Sequence, residues 1–154
     1  EGRVEQEDDA LQLYQHPASV SVAQALSDPP INLLASTHAK GKVNWGSHKF
    51  SFSDPSLAEG QSFTLGIQPH RIHMTREHSS DIEFSGVVQL AEVTGSITYV
   101  HLTLDSGEYA VIELDGAHPI DPDTTVTGYF QAGDLYGFDA RTGATLFVPK
   151  VKVA

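Results

Sequence analysis

Ser62-Phe63-Thr64-Leu65-Gly66-Ile67-Gln68-Pro69-His70-Arg71-Ile72-His73-Met74 is the stretch whose reading decides the fold. Phe63, Leu65 and Ile67 alternate with Thr64 and Gly66, the two-residue period of a strand that buries one face. Pro69 stops that strand, because proline has no N–H to give a ladder and drives the residue before it out of the helical region. Arg71 to Met74 then reads as a second short extended piece. The same residues hold the close histidine pair His70 and His73, so a joint between strands and a candidate site coincide.

Outward from this joint the chain keeps its extended period. Ile31 to Ala35 and Lys42 to Phe52 read as short strands broken at Lys40-Gly41 and Gly46-Ser47, and Asp54-Pro55 with Glu59-Gly60 marks a loop. From Ile82 to Val93 apolar and polar residues alternate, with Gly86 as the expected bulge or bend. Ser96 to Leu104 and Glu108 to Leu114 flank Ser106-Gly107, and a two-residue turn there would set Leu104 opposite Tyr109 and Leu102 opposite Val111. Thr125 to Gln131, Asp134 to Phe138 and Thr145 to Val148 add three strands, and Pro149 to Ala154 would be an edge strand or a tail. Many short strands between frequent turns predict a closed or nearly closed barrel.

Before Pro30 the pattern is helical. Glu7-Asp8-Asp9 is placed to cap a helix near Ala10, and Pro17 suits the first position of a second helix that ends at Asp28-Pro29-Pro30. The expected organisation is a helical lead-in over 1–30 and one β unit over 31–154.

At 154 residues the chain is the size of one domain. Its 9 Lys+Arg against 20 Asp+Glu, a net charge of −11, disfavour nucleic acid and anionic membrane surfaces as partners. There is no cysteine, which excludes disulfides and thiolate ligands and fits a reducing compartment. No apolar run approaches the roughly 20 residues needed to span a bilayer, so direct membrane insertion is not expected.

Several residue groups carry candidate chemistry. His70 and His73, with His78 or His101, could ligate a metal, but on extended backbone residues three apart point to opposite faces, so ordinary surface histidines are the preferred reading. Asp121-Pro122-Asp123, with Asp115 and His118 upstream, could be a cation loop or an acid/base pair; aspartates beside proline are more simply turn formers. Trp45, Tyr99, Tyr109 and Tyr129 could stack nucleic-acid bases, although without a basic groove they read as packing residues. No Gly-x-Ser-x-Gly elbow, Walker-type phosphate loop or Gly-x-Gly-x-x-Gly occurs. Catalytic, cofactor-binding and metal-ligating residues are therefore all assigned as none.

Gly2-Arg3-Val4-Glu5-Gln6, Leu13-Tyr14-Gln15-His16-Pro17, Val22-Ala23, Pro29-Pro30-Ile31-Asn32 and Leu65-Gly66-Ile67-Gln68-Pro69-His70 follow one another in a recognisable order. Gly86-Val87-Val88, Glu92-Val93, Gly95-Ser96, Asp134-Leu135-Tyr136-Gly137-Phe138-Asp139 and Thr142-Gly143 continue it. In that order they resemble the C-terminal part of the ATP-binding subunit of sugar-type ABC importers, the maltose and glycerol-3-phosphate transporter class. Glu7-Asp8-Asp9 departs from the family's Gly-Thr-Pro, and Gln68 and His70 stand where relatives carry arginine and glutamate.

The resemblance implies a mainly β, OB-fold-like barrel of the TOBE type behind a helical linker that follows an ATPase domain. It implies a regulatory and dimerisation role without catalysis in this chain, the ATP and Mg belonging to the ATPase domain of a full-length ABC transporter ATPase. The implied partners are a second copy, the permease subunits and, in some members, a regulatory protein, on the cytoplasmic side of the membrane. A small-ligand or oxyanion-binding barrel is the alternative.

Overall fold

The computed structural model describes Ser19, Val20, Ala23 and residues 29–150. Ten strands run through them: β1 (Asn32–Ala39), β2 (Lys42–Trp45), β3 (His48–Ser51), β4 (Gln61–Ile67), β5 (Ile82–Thr94), β6 (Ile97–Leu104), β7 (Tyr109–Asp115), β8 (Thr125–Phe130), β9 (Tyr136–Asp139) and β10 (Thr145–Phe147). The helical lead-in expected over 1–30 lies almost wholly outside the described residues. Within it, the Ala23 amide donates to the Ser19 carbonyl at 3.0 Å.

The strands form two antiparallel sheets, one ordered β10-β9-β4-β1-β2-β3 and the other β7-β6-β5-β8. They curl around one core as a half-barrel, and their ladders do not close into a single cylinder. Inward-facing residues of both sheets make that core: Leu34, Phe63 and Leu65 from the first, Val88, Leu102 and Ile112 from the second. Trp45 is 1% exposed at its centre, with Phe84 and Phe130 at ring distances of 5.6 and 6.0 Å.

Side chains take over where the ladders stop. β2 pairs with β1 only from Thr37 to Ala39, leaving the first half of β1 open on that side. There the buried Asn32 amide bridges to β7: Nδ2 donates to the Val111 carbonyl at 2.9 Å, and Oδ1 accepts from the Val111 amide at 2.8 Å. Glu108 adds a second tie, accepting from the Ala35 amide at 2.8 Å and the Trp45 indole at 3.1 Å. Buried backbone polar groups need partners, and these contacts supply them where no strand does.

Two local expectations are corrected. The β6–β7 loop is closed by the Leu104 amide donating to the Glu108 carbonyl, with Gly107 at φ 87°, a three-residue loop with its glycine in the left-handed region. Thr103 therefore faces Tyr109 and His101 faces Val111, one residue away from the expected register. That shift turns Tyr109 outward and Ala110 and Ile112 inward. The bulge in β5 falls between Val88 and Leu90, not at Gly86, whose missing side chain instead makes room for Leu102 and Leu104.

The outer face of the six-stranded sheet carries a smaller cluster. Tyr136 and Phe138 stack with ring centroids 6.1 Å apart, and Ala23 and Ile31 pack with them. Gly66 lies beneath: a Cβ there would stand 2.9 Å from both Ile31 and Phe138, which is the physical reason for glycine in the Leu65-Gly66-Ile67 run.

Candidate functional site

The joint after β4 carries the chain from one sheet to the other. Gln68 is buried and extended, at φ −73° and ψ 140°, and Pro69 opens a single 3₁₀ turn over Pro69–Arg71. Pro69 suits this first position because its fixed φ and missing N–H cost nothing there. The Arg71 amide donates to the Gln68 carbonyl at 2.9 Å. Ile72 then returns to extended geometry and is buried, and His73 pairs with Tyr129 of β8 through two 2.8 Å backbone hydrogen bonds.

The turn changes what the two histidines can do. Both His70 and His73 line a cleft of about 390 Å³ with Ile72, Glu113, Leu114 and Asp115. Partial burial lowers the His70 pKa and the Arg71 guanidinium lowers it further, against the opposing pull of Glu113 and Asp134. His73 lies 3.6 Å from Glu77, both half-exposed. Among the described residues no three His, Asp or Glu side chains converge as a set that could hold a metal ion.

The other candidates separate. His78 is in the following loop, its Nδ1 2.7 Å from the Gln131 amide and 3.6 Å from the Asp81 carboxylate. Asp81 organises that loop by accepting from the Glu77 and His78 amides at 2.8 and 3.0 Å. Burial would raise its pKa, but those two amides, nearby His78 and Gln131 outweigh it, and the net shift is downward. His101 sits on the outer face of the four-stranded sheet, hydrogen-bonded through Nδ1 to the Tyr109 hydroxyl, with Nε2 3.5 Å from Glu92. His118 folds back on the Asp115 carbonyl at 2.7 Å. Asp121 and Asp123 form the turn into β8, with Asp123 at φ 69° and its amide on the Val88 carbonyl at 2.7 Å. Trp45 is core, whereas Tyr109 is 54% exposed.

Two arrangements had no signal in the sequence. The Asn32 bridge depends on a strand far away in the chain. The outer face of β5–β7 became visible only with the register of β7 fixed; it leaves Val87, Leu90 and Tyr109 at 40, 53 and 54% exposure.

Residues 65–138 match the TOBE domain model. The chain is 32% identical over 143 residues to the sn-glycerol-3-phosphate import ATP-binding protein UgpC 3 of Agrobacterium fabrum, an alignment covering 90% of this chain and 39% of that protein. It is also 32% identical to UgpC of Rhizobium meliloti, over 90% of this chain and 38% of that one, and to UgpC of Chromohalobacter salexigens, over 91% and 38%. The chain thus spans under two-fifths of the length of these relatives. Among solved structures, the cytoplasmic molybdate-binding protein ModG superposes with a TM-score of 0.54 at 12% identity, covering 69% of this chain and 94% of that one, a likeness of fold alone. The order of motifs from Gly2 to Gly143 is accordingly similar to that of these import ATP-binding proteins, and residues 65–138 correspond to a TOBE domain.

Proposed function

We propose that this chain is the regulatory and dimerisation part of the ATP-binding subunit of an ABC importer for a sugar or a sugar phosphate. The observation that carries this reading is the TOBE match lying inside a 90% alignment to glycerol-3-phosphate import subunits. On this reading residues 31–154 are an OB-like barrel of the TOBE type and 1–30 a linker from an ATPase domain that holds ATP and Mg. The parent subunit works against permease subunits on the cytoplasmic side of the membrane. No helix among the described residues is long and apolar enough to cross it.

Light scattering of the isolated chain tests the proposal. It should report a dimer that consumes no ATP; a strictly monomeric species at high concentration would overturn the dimerisation role. Oxyanion binding is the rival that the likeness to ModG suggests. The cleft at the joint opposes it, since Glu113 and Asp115 line the same space as the two histidines. Calorimetry against molybdate, sulfate and sn-glycerol 3-phosphate separates the readings, and stoichiometric saturation by any of them would promote the rival.

A further inference from the structure

Between Arg76 and Arg141 the sequence contains no lysine or arginine, while aspartate and glutamate recur throughout. All of β5 to β8 lies inside this interval, so the four-stranded sheet presents its outer face without a basic residue of its own. Cross-strand pairing arranges that face in rows. Val87 stands beside Thr103 and Thr103 beside Tyr109; Leu90 beside His101 and His101 beside Val111; Glu92 beside Tyr99 and Tyr99 beside Glu113. Two rows with apolar or aromatic residues at their ends and Thr103 or His101 between them therefore adjoin one in which a tyrosine separates two carboxylates.

The face continues into a cleft of about 410 Å³ between β7 and the Pro29–Leu33 segment, lined in part by Leu33, Glu108 and Val111. Tyr109 is held at its mouth by the hydrogen bond to His101, their rings 5.8 Å apart and nearly parallel. One corner of the same face shows which chemistry it accepts. Arg76 reaches across from the loop after the joint, its guanidinium 2.9 Å from the Glu83 carboxylate and 5.1 Å from the centre of the Tyr129 ring. Glu83 and Tyr129 are direct cross-strand partners, as Glu92 and Tyr99 are. Among the described residues this is the one ion pair made by a lysine or arginine.

We propose that the outer face of β5–β7 docks a partner protein through a segment presenting lysine or arginine beside an apolar stripe. The cations would meet Glu92 and Glu113 around Tyr99, as Arg76 meets Glu83 and Tyr129, and the apolar side chains would cover Val87, Leu90 and Tyr109. Carboxylates flanking an aromatic ring attract a cation both by charge and by the ring's negative face. A second copy of this chain fits poorly, because it would bring the same base-free face and another eleven negative charges. Any self-association then uses a different surface, and this face stays open to the partner.

The test is an amide NMR titration of the 154-residue chain with a leucine–lysine amphipathic peptide. Its leucine–glutamate counterpart and poly-lysine serve as comparisons. The expected result is saturable shifts confined to Val87–Glu113 and the Pro29–Leu33 segment, with neither comparison matching the affinity. Leu90→Asp and Glu92→Lys, both at exposed positions, should each weaken binding at least about tenfold while the Trp45 fluorescence stays native. Absence of binding, shifts scattered over the acidic surface, or equal binding of poly-lysine or of the glutamate peptide would overturn the proposal. So would concentration-dependent shifts at Leu90 and Tyr109 without peptide, which would assign the face to a second copy.

Discussion

Asn32 offers the sharpest test of how the two sheets are joined. Replacing it by leucine keeps the side-chain size and removes both amide hydrogen bonds to Val111. Asn32 and Val111 are each 5% exposed, so the Val111 N–H and C=O would be left buried without partners and without room for water to replace the amide. An orphaned buried backbone group costs about 1–3 kcal/mol, so the pair should cost about 2–6 kcal/mol. For a chain of this size that corresponds to a fall in Tm of about 5–15 °C. The single tryptophan, Trp45, lies in the shared core and reports unfolding directly, so urea denaturation followed by its fluorescence gives the measurement. Asn32→Asp, the same size again, should also destabilise, because it places a carboxylate oxygen against the Val111 carbonyl. Hydrogen exchange adds a local reading: the Val111 amide should be protected as if in a ladder, and lose that protection in Asn32→Leu ahead of its neighbours. A loss below about 0.5 kcal/mol, the range of ordinary surface changes, would refute the bridge as a structural joint.

Three further outcomes follow from the packing and the titratable groups. Gly137→Ala would drive a Cβ into the Phe147 ring and should cost about 1–3 kcal/mol or more; Gly41→Ala, with open space but φ at 72°, should cost only about 1 kcal/mol in the same denaturation assay. Asp81→Asn should destabilise the chain at neutral pH by about 1–2 kcal/mol, since a charged acceptor for two amides is lost. Because folding lowers the Asp81 pKa, that contribution is present above the ordinary aspartate value of 3.8 and lost as pH falls below it, so the gap between variant and parent should close in acid. Folding also lowers the His70 pKa, which acts in the same direction at a higher pH: protonation favours the unfolded chain, and stability should decline as pH falls below 6.5. His70→Gln should flatten that part of the stability profile and leave the profile above it unchanged.

Strand positions were legible from residues close together in the chain. Alternation over Phe63 to Ile67 and Ile82 to Val93 marks β4 and β5, and the turns at Lys40-Gly41, Gly46-Ser47 and Gly95 use the positive φ that glycine tolerates. The ordered motifs from Gly2 to Gly143 were legible too, and with them the likeness to importer ATP-binding subunits. Features that depend on closure between distant segments were not. A three-residue loop in place of a two-residue one moved the β6–β7 register by one position and put Tyr109 on the surface. A single 3₁₀ turn at Pro69 was enough to bring His70 and His73 to one cleft. The partition into two sheets joined by Asn32, and the exposure of Val87, Leu90 and Tyr109 on the outer face, follow from how the strands fold around Trp45. The amino-acid sequence by itself determined where the backbone extends and turns, because those preferences are settled within a few residues; register, sheet partition and exposed faces were decided only in the tertiary structure, where distant backbone groups find partners and side chains compete for one core.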